Sequence, residues 1–342
     1  MASILYTFNQ SSNKNEEDIL IIDLGAGFLN ISIIALQDLL IEVKSVNGLS
    51  NLGGDDFDNR LIEYCINEFK SKKGVDISKN PKALRRLGTE CEKAKKILSS
   101  ATKTVIELNE LMNRKDLIIE ITRDKFEDLC IDLFQKCLLP IENALKDANM
   151  NKYQVNTIIL TGGSSRIPKI QTMIKEYFDG NHIIKYLNSD EVVSSGAAIQ
   201  AAIMSNIRHK IIYNFIFMDV IPHSIGLEIE GGVMNVMIPR AHTIPCKKSQ
   251  IFFTCIDNQF EILLKVYEGE EQLTKDNLLI DKIRFDGLPP GPKGHILVEI
   301  TLDIDANFNI ELIAIEKITG KYKNKKICFA RDKQTVTVQF IS

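Results

Sequence analysis

The chain has 342 residues, 44% hydrophobic and 25% charged, with a formal net charge of -3. That length suffices for two or three domains with cores of their own, and a chain without a basic field is not expected to partner nucleic acid. The seven cysteines include no C-x-x-C pair, a usage that fits reduced thiols rather than a disulfide framework or a zinc site.

Residues 1–8 lack a basic residue, and their apolar stretch is short for a secretory signal. No stretch approaches the ~18–20 apolar residues of a membrane span, so a soluble intracellular protein is expected. Residues 19–22 read as a short buried strand ending in Asp23-Leu24-Gly25-Ala26-Gly27, with 29–36 as its antiparallel return. The glycines of such a hairpin expose backbone N–H groups. Asp23 is placed to hold a metal or its water shell, and a plain structural turn explains the pattern equally well.

Residues 51–58 open a helix to about Lys72, and their acidic cluster suits its N-terminal dipole or cap. Lys70-Ser71-Lys72-Lys73 closes it where cations are favoured. From Asn80 to Leu98 the pattern is helical, with Pro81 near the start and Leu84, Leu87, Cys91, Ala94 and Leu98 on one face. Glu92, Lys95, Lys96 and Ser99 fall at i, i+3, i+4 and i+7 on another, the pattern of a salt-bridged solvent face. Residues 104–108 and 117–121 read as a small hairpin, and 123–148 as one helix that Pro140 kinks or interrupts. Cys130 and Cys137, seven apart, take core positions in it.

Ile158-Ile159-Leu160 then runs into Thr161-Gly162-Gly163-Ser164-Ser165-Arg166-Ile167-Pro168. Glycine admits close approach, and a helix starting at Pro168 turns unpaired N–H groups and a positive dipole end toward an anion. Strand, Gly-Gly, Ser, helix is a candidate nucleotide cradle, with an ordinary strand-to-helix turn as the alternative. A helix over 169–178 and a small-residue stretch over 190–198 follow. After about Asn206 the composition changes. Segments 225–229, 233–238, 251–255, 261–267, 296–304, 310–316 and 335–341 read as strands of a β-sandwich, and the boundary 211–219 is too apolar for a freely solvated linker.

Asp23-Leu24-Gly25-Ala26-Gly27, Leu52-Gly53-Gly54-Asp55-Asp56-Phe57-Asp58-Asn59-Arg60, Cys91-Glu92-Lys93-Ala94-Lys95, the Thr161 to Pro168 segment and Tyr267-Glu268-Gly269-Glu270 occur in one order. Gly231-Gly232-Val233-Met234, Asp257-Asn258-Gln259 and Leu302-Asp303-Ile304-Asp305-Ala306-Asn307 extend the series. In that order the chain resembles the heat-shock 70 kDa chaperone family, most like its eukaryotic cytosolic members, over nearly its whole length. The resemblance implies an α/β actin-like ATPase lobe, the second lobe only, followed by an all-β sandwich domain. The implied domains are a partial nucleotide-binding domain over 1–206 (helical and hairpin subdomain about 53–131), an apolar linker over 207–219 and a peptide-binding β-sandwich over 220–342. It also implies that the first lobe, with its catalytic lysine and water-positioning acid, and the helical lid are not in this chain. ATP hydrolysis by the chain alone is therefore expected near background.

Carried over by motif, Asp23 would hold the water shell of magnesium, and Gly25, Ala26 and Gly27 would face phosphate. Glu92, Lys95 and Ser99 match adenosine contacts, and Lys96 stands where the family has an adenine-stacking arginine, which an ammonium does not reproduce. Gly162, Gly163, Ser164, Arg166 and Ile167 match the adenine and phosphate cradle, and Asp190 an acidic position beside it. In the sandwich, Phe252, Cys255, Ile262 and Leu264 match positions lining a hydrophobic peptide groove. The chain departs from the family at Phe28 (a phosphate-contacting threonine), Asn30 (an acid), Asn309 (a pocket isoleucine), Phe308 (a glycine) and Glu230 (an apolar residue over the peptide). A charge and an amide in an apolar groove disfavour greasy peptides. The linker run Asn214-Phe215-Ile216-Phe217-Met218 also lacks the family's acid.

The resemblance thus implies a cytoplasmic, or also nuclear, chaperone fragment with ATP or ADP and magnesium as cofactors. Its partners would be unfolded or extended apolar peptides and co-chaperones, with no nucleic acid and no membrane. The alternatives are a non-catalytic peptide- or co-chaperone-binding module and a non-functional truncated remnant. An actin-like sugar or acetate kinase is disfavoured, because those enzymes have two lobes and no β-sandwich tail.

Overall fold

The computed structural model describes residues 16–37, 40–180, 183–186, 188, 191–205 and 216–327. The fold is mixed α/β with several sheets, and the chain divides into two compact units, Met1–Phe217 and Met218–Ser342. Among the described residues no helix is long and apolar enough to cross a membrane.

The first unit begins with an antiparallel meander of β1 (Glu17–Leu24), β2 (Leu29–Gln37) and β3 (Leu40–Leu49). β3 is a strand the sequence reading did not anticipate. In β1, Ile19, Leu20, Ile21 and Ile22 are all buried, as expected of a central strand covered on both faces. α1 (Gly54–Lys73) and α2 (Pro81–Leu98) follow. The Asn80 side chain caps α2, accepting from the Lys82 and Ala83 N–H groups at 3.1 Å each, and Pro81 occupies the first turn, where no N–H is needed. β4 (Lys103–Met112) and β5 (Lys115–Thr122) form a separate hairpin.

The single helix expected over 123–148 is instead three: α3 (Arg123–Leu129), α4 (Ile131–Lys136) and α5 (Leu139–Asp147). Pro140 is not the breaker, since it sits harmlessly in the first turn of α5. The breaks fall at Cys130 and at Cys137-Leu138, and they let Cys130, Phe134, Cys137 and Ile141 all reach one core. Phe134 stacks on Phe57 of α1 at 5.0 Å and meets Phe126 of α3 edge-on at 6.2 Å, so aromatic packing sets the angles between these short helices.

β6 (Thr157–Thr161) joins β1 in parallel, and β7 (Ile183–Tyr186) joins β6. α6 (Pro168–Tyr177) and α7 (Val192–Met204) complete the unit. The parallel register sets Asp23 opposite Thr161. The two glycine turns that follow these residues therefore leave the sheet at the same C-terminal edge, where open α/β sheets hold ligands.

Of the apolar linker run, Asn214 and Phe215 lie outside the described residues, and Ile216, Phe217 and Met218 belong to β8 (Ile216–Val220). The second unit continues through β9 (Ile225–Ile229), β10 (Val233–Ile238), β11 (Thr243–Ile244), β12 (Cys246–Phe253) and β13 (Glu261–Glu268). It ends with β14 (Leu278–Asp286), β15 (Leu297–Ile304), β16 (Ile310–Glu316) and β17 (Tyr322–Ile327). Two four-stranded antiparallel sheets result, in the orders β10-β9-β13-β14 and β12-β15-β16-β17. Alternate residues of both, among them Leu227, Val266, Phe285, Val298, Ile300 and Leu312, fill one shared core.

The segment 251–255 is only the end of β12, while β14 and β17 were not expected. β17 reads Tyr-Lys-Asn-Lys-Lys-Ile, the lysine-rich composition of a protected edge strand. The strand expected at 335–341 lies outside the described residues.

Candidate functional site

The site begins at the β1–β2 hairpin. Its tip closes through the Gly25 N–H to the Phe28 carbonyl at 3.0 Å. The Gly25 carbonyl accepts from the Gly54 N–H at 2.9 Å and from Ser164 Oγ at 3.0 Å, and the Ala26 carbonyl accepts from the Asp55 N–H at 2.8 Å. The hairpin is thereby tied on one side to the start of α1 and on the other to the turn after β6. Two glycines make this possible. A Cβ on Gly53 would overlap the Ala26 carbonyl oxygen. One on Gly162, at φ +81°, would overlap the Leu24 carbonyl oxygen and come within 2.6 Å of Asp23 Oδ1.

Between these parts lies a cleft of about 560 Å³. The hairpin contributes Gly25 and Ala26, α1 contributes Gly54, Asp55 and Asp58, and α2 with its cap contributes Glu92, Lys95, Lys96 and Ser99. Gly163, Ser164, Arg166 and Ile167 complete the lining. Gly27 and Gly162 lie outside it, and Asp190 lies outside the described residues. Asp23 is half-buried at the end of β1, and burial pushes its carboxyl above the ordinary range.

The solvent face expected on α2 needs a correction. Glu92 and Lys96 do pair at 2.7 Å with exposed side chains, but Lys95 is only 8% exposed. Its Nζ donates to Asp58 Oδ2 at 2.7 Å and to the Gly54 carbonyl at 2.8 Å. Lys95 projects from the flank of α2 that faces α1, and Asp58 supplies the counter-charge that lets an ammonium be buried there. Burial pushes the Asp58 carboxyl upward against the downward pull of Lys95. Its second oxygen, Oδ1, is buried and has no hydrogen-bond partner.

Gly54, Asp55 and Asp58 were missed as site residues. The signal available in the sequence is the acidic cluster over 51–58, whose pattern fits a helix cap. Part of it is one: Asp56 Oδ2 accepts from the Gly53 N–H at 2.8 Å.

In the second unit Leu264 is buried in the core, and Phe252 and Ile262 pack half-buried against it. Cys255 is exposed, with its N–H on Gln259 Oε1 at 2.8 Å. Asn309 is exposed and bound to Asp305, to which its side-chain amide donates at 2.8 Å and its N–H at 2.9 Å. Phe308 beside it adopts φ +63°. Glu230 is exposed after β9. The six residues expected at the groove therefore divide into three on the core and three on exposed turns.

A nucleoside-sized ligand fits the cleft of the first unit. Beside Gly163 there is open space, with nothing within 4 Å of where a Cβ would stand, and the buried Asp58 Oδ1 lacks a donor. The hairpin fits a phosphate less well. Phe28, 58% exposed, offers no hydroxyl, and the Gly25 N–H is already engaged. Among the described residues no three His, Cys, Asp or Glu side chains converge.

A family model described as Hsp70 protein matches residues 1–339. Similar proteins include Heat shock cognate 70 kDa protein 3 of Dictyostelium discoideum, 43% identical over 342 residues, covering 100% of this chain and 54% of that protein. Heat shock 70 kDa protein of Neurospora crassa is 46% identical over 333 residues, covering 97% of this chain and 51% of that protein. Heat shock 70 kDa protein 2 of Paracoccidioides lutzii is 45% identical over 333 residues, with shares of 97% and 50%. The chain spans about half the length of the curated relatives it matches. With a family model matching almost end to end and relatives above 40% identity, the chain belongs to the Hsp70 family.

Proposed function

We propose that the first unit, an actin-like lobe, binds an adenine nucleotide and that the second, a β-sandwich, holds extended apolar peptides, as an Hsp70-type chaperone in the cytoplasm. The observation that supports the first half is convergence. Ten of the thirteen residues carried over as nucleotide contacts, from segments far apart in sequence, line one cleft. Ile167 and the stem of Lys96 would flank the purine, while Glu92, Lys95 and Ser99 would meet the sugar. The nucleotide itself would supply the phosphoanhydride chemistry, with Asp23 orienting the water shell of magnesium.

Hydrolysis by these 342 residues alone is expected near background. Glu92 and Lys96 keep 50% and 69% of their side-chain surface in water, so the cleft is wet. A wet site screens charge and orients no attacking water. Calorimetric titration of ATP with magnesium into the purified chain tests the reading. Micromolar binding supports it, no heat up to millimolar nucleotide overturns it, and magnesium-dependent turnover like that of an intact relative overturns the low-hydrolysis expectation.

A non-catalytic peptide- or co-chaperone-binding module is the second reading. It is favoured by the apolar side chains Ile251, Phe253, Ile256 and Phe260, between 47% and 66% exposed on and beyond β12. Peptide binding without nucleotide binding would select it.

A further inference from the structure

The two sheets of the second unit differ on their outward faces. Alternation along a strand sends Leu227, Val266, Phe285, Ile300 and Leu312 into the shared core and their neighbours outward. In the β10-β9-β13-β14 sheet the outward positions include Glu228, Lys265, Lys282 and Arg284, as expected of a face in water.

The β12-β15-β16-β17 sheet is apolar outward as well. One row across it reads Ile251, Glu299, Ile315, Tyr322; on one side of that row Phe253 stands opposite Leu297, and on the other Thr301 stands opposite Ile313. Ile251, Phe253 and Tyr322 are 47%, 60% and 70% exposed, and Leu297, Ile313 and Ile315 are partly so. β16, Ile-Glu-Leu-Ile-Ala-Ile-Glu, thus turns two isoleucines outward and Leu312 and Ala314 inward. A strand apolar on both sides is the composition of one covered on both faces.

The chemistry of the face narrows what covers it. The central strands β15 and β16 are paired along both edges, so they offer an extended peptide no main-chain ladder. A flat apolar sheet is instead matched by another sheet, as in a sandwich. Its charges are balanced within the chain: Glu299 pairs with Lys317 at 2.5 Å, Asp303 pairs with Lys247 at 3.1 Å, and Glu311 stands opposite Lys326. A face without net charge draws no polyanion and no charged membrane surface. It also meets an identical face without repulsion.

The area is adequate for a weak association. Four strands of six to eight residues, about 4.8 Å apart and rising ~3.3 Å per residue, make a face of roughly 500 Å². Two such faces bury about 1,000 Å², the lower end of what a specific interface needs.

We propose that the outward face of the β12-β15-β16-β17 sheet is an interface between two copies of this chain, packed sheet on sheet about a two-fold axis, with Ile313 and Ile315 at its centre. The inference goes beyond the nucleotide and peptide readings and needs neither.

The test is sedimentation equilibrium of the whole 342-residue chain from about 1 μM to about 300 μM, a range in which a weak dimer forms by mass action. A reversible monomer–dimer equilibrium is expected. The double variant Ile313→Thr, Ile315→Thr keeps β-branched side chains and is expected to raise the dimer Kd more than about tenfold. A control double variant, Val105→Thr with Ile118→Thr, removes two exposed apolar side chains from the separate β4–β5 hairpin and is expected to leave the dimer unchanged. A monomer throughout the range overturns the inference, as it would if another part of the chain covered the face. A dimer that survives the β16 variant, or that weakens equally in the control, overturns it too. Circular dichroism and the unfolding midpoint establish that the variants fold. Where the β16 variant does not, Tyr322→Lys at a 70% exposed edge position replaces it, and an unchanged dimer in that variant counts against the inference.

Discussion

Lys95 Nζ sits 2.7 Å from Asp58 Oδ2 and 2.8 Å from the Gly54 carbonyl oxygen, joining α2 to the first turn of α1. Both side chains are nearly out of water, at 10% and 12% exposure. Lys95→Met strands a buried carboxylate, and the expected loss is about 3–5 kcal/mol. Adding Asp58→Leu should recover much of it, because an apolar pair needs no counter-charge. Urea unfolding of the three proteins measures this. A loss under about 1 kcal/mol for Lys95→Met, the range of a surface pair, would contradict the burial.

Adjacent glycines offer a sharper steric contrast. Gly162→Ala is expected to cost more than about 2 kcal/mol or to abolish soluble expression, since it adds strain at positive φ to a backbone clash. Gly163→Ala faces open space and should be tolerated. Soluble yield and unfolding midpoint of the two variants check the difference, and equal behaviour would refute it.

A third prediction concerns acid. Glu228 accepts from Lys265, from the Tyr267 hydroxyl at 2.8 Å and from the Thr274 hydroxyl at 2.9 Å. The Lys265 ammonium, against a smaller opposing push from burial and with help from the two hydroxyls, holds this carboxyl below the ordinary range. The unfolded chain then binds the proton more readily, so this stabilisation is present above about pH 4.3 and fades as pH falls through the lower folded value. Glu228→Gln should lower stability at neutral pH and flatten the acid limb. Unfolding midpoints measured from neutral pH down to about pH 3 would show it, and parallel curves would not be expected.

Thiol reactivity should separate the cysteines. Cys255 is exposed and Cys246 partly so, while Cys65, Cys91, Cys130 and Cys137 are buried. Burial pushes the thiols of Cys130 and Cys137 up to about 12, and the contact with Cys65 raises that of Cys91. Since the thiolate is the nucleophile, brief alkylation followed by peptide mass spectrometry should label Cys255 first. The four buried positions should label only in denaturant.

Local chemistry made α2 legible: Asn80, Pro81 and the apolar stripe act within one helix. The β1–β2 hairpin and β6 were legible for the same reason, as glycines end short apolar runs. The breaks at Cys130 and Cys137 were not, because neither residue is a helix breaker and the aromatic contacts of Phe57, Phe126 and Phe134 decide them from three helices. Nor was the burial of Lys95, whose helical spacing matches that of a solvent face. Only Asp58, 37 positions earlier, distinguishes the two cases. β17 escaped notice because an edge strand carries lysines where periodicity looks for alternation.

The clasp of the hairpin between Gly53 and Gly162 bears on how this lineage can change. At both positions any side chain collides with main chain, so neither can drift without loss of the fold. The hairpin tip is under no such constraint, because Phe28 stands in solvent. Positions that define the scaffold and a position that the fold leaves unconstrained are thus separable here, a few residues apart. A sequence can keep every glycine that marks its ancestry while the residues beside them are rewritten, and inherited family motifs then testify to architecture more strongly than to turnover.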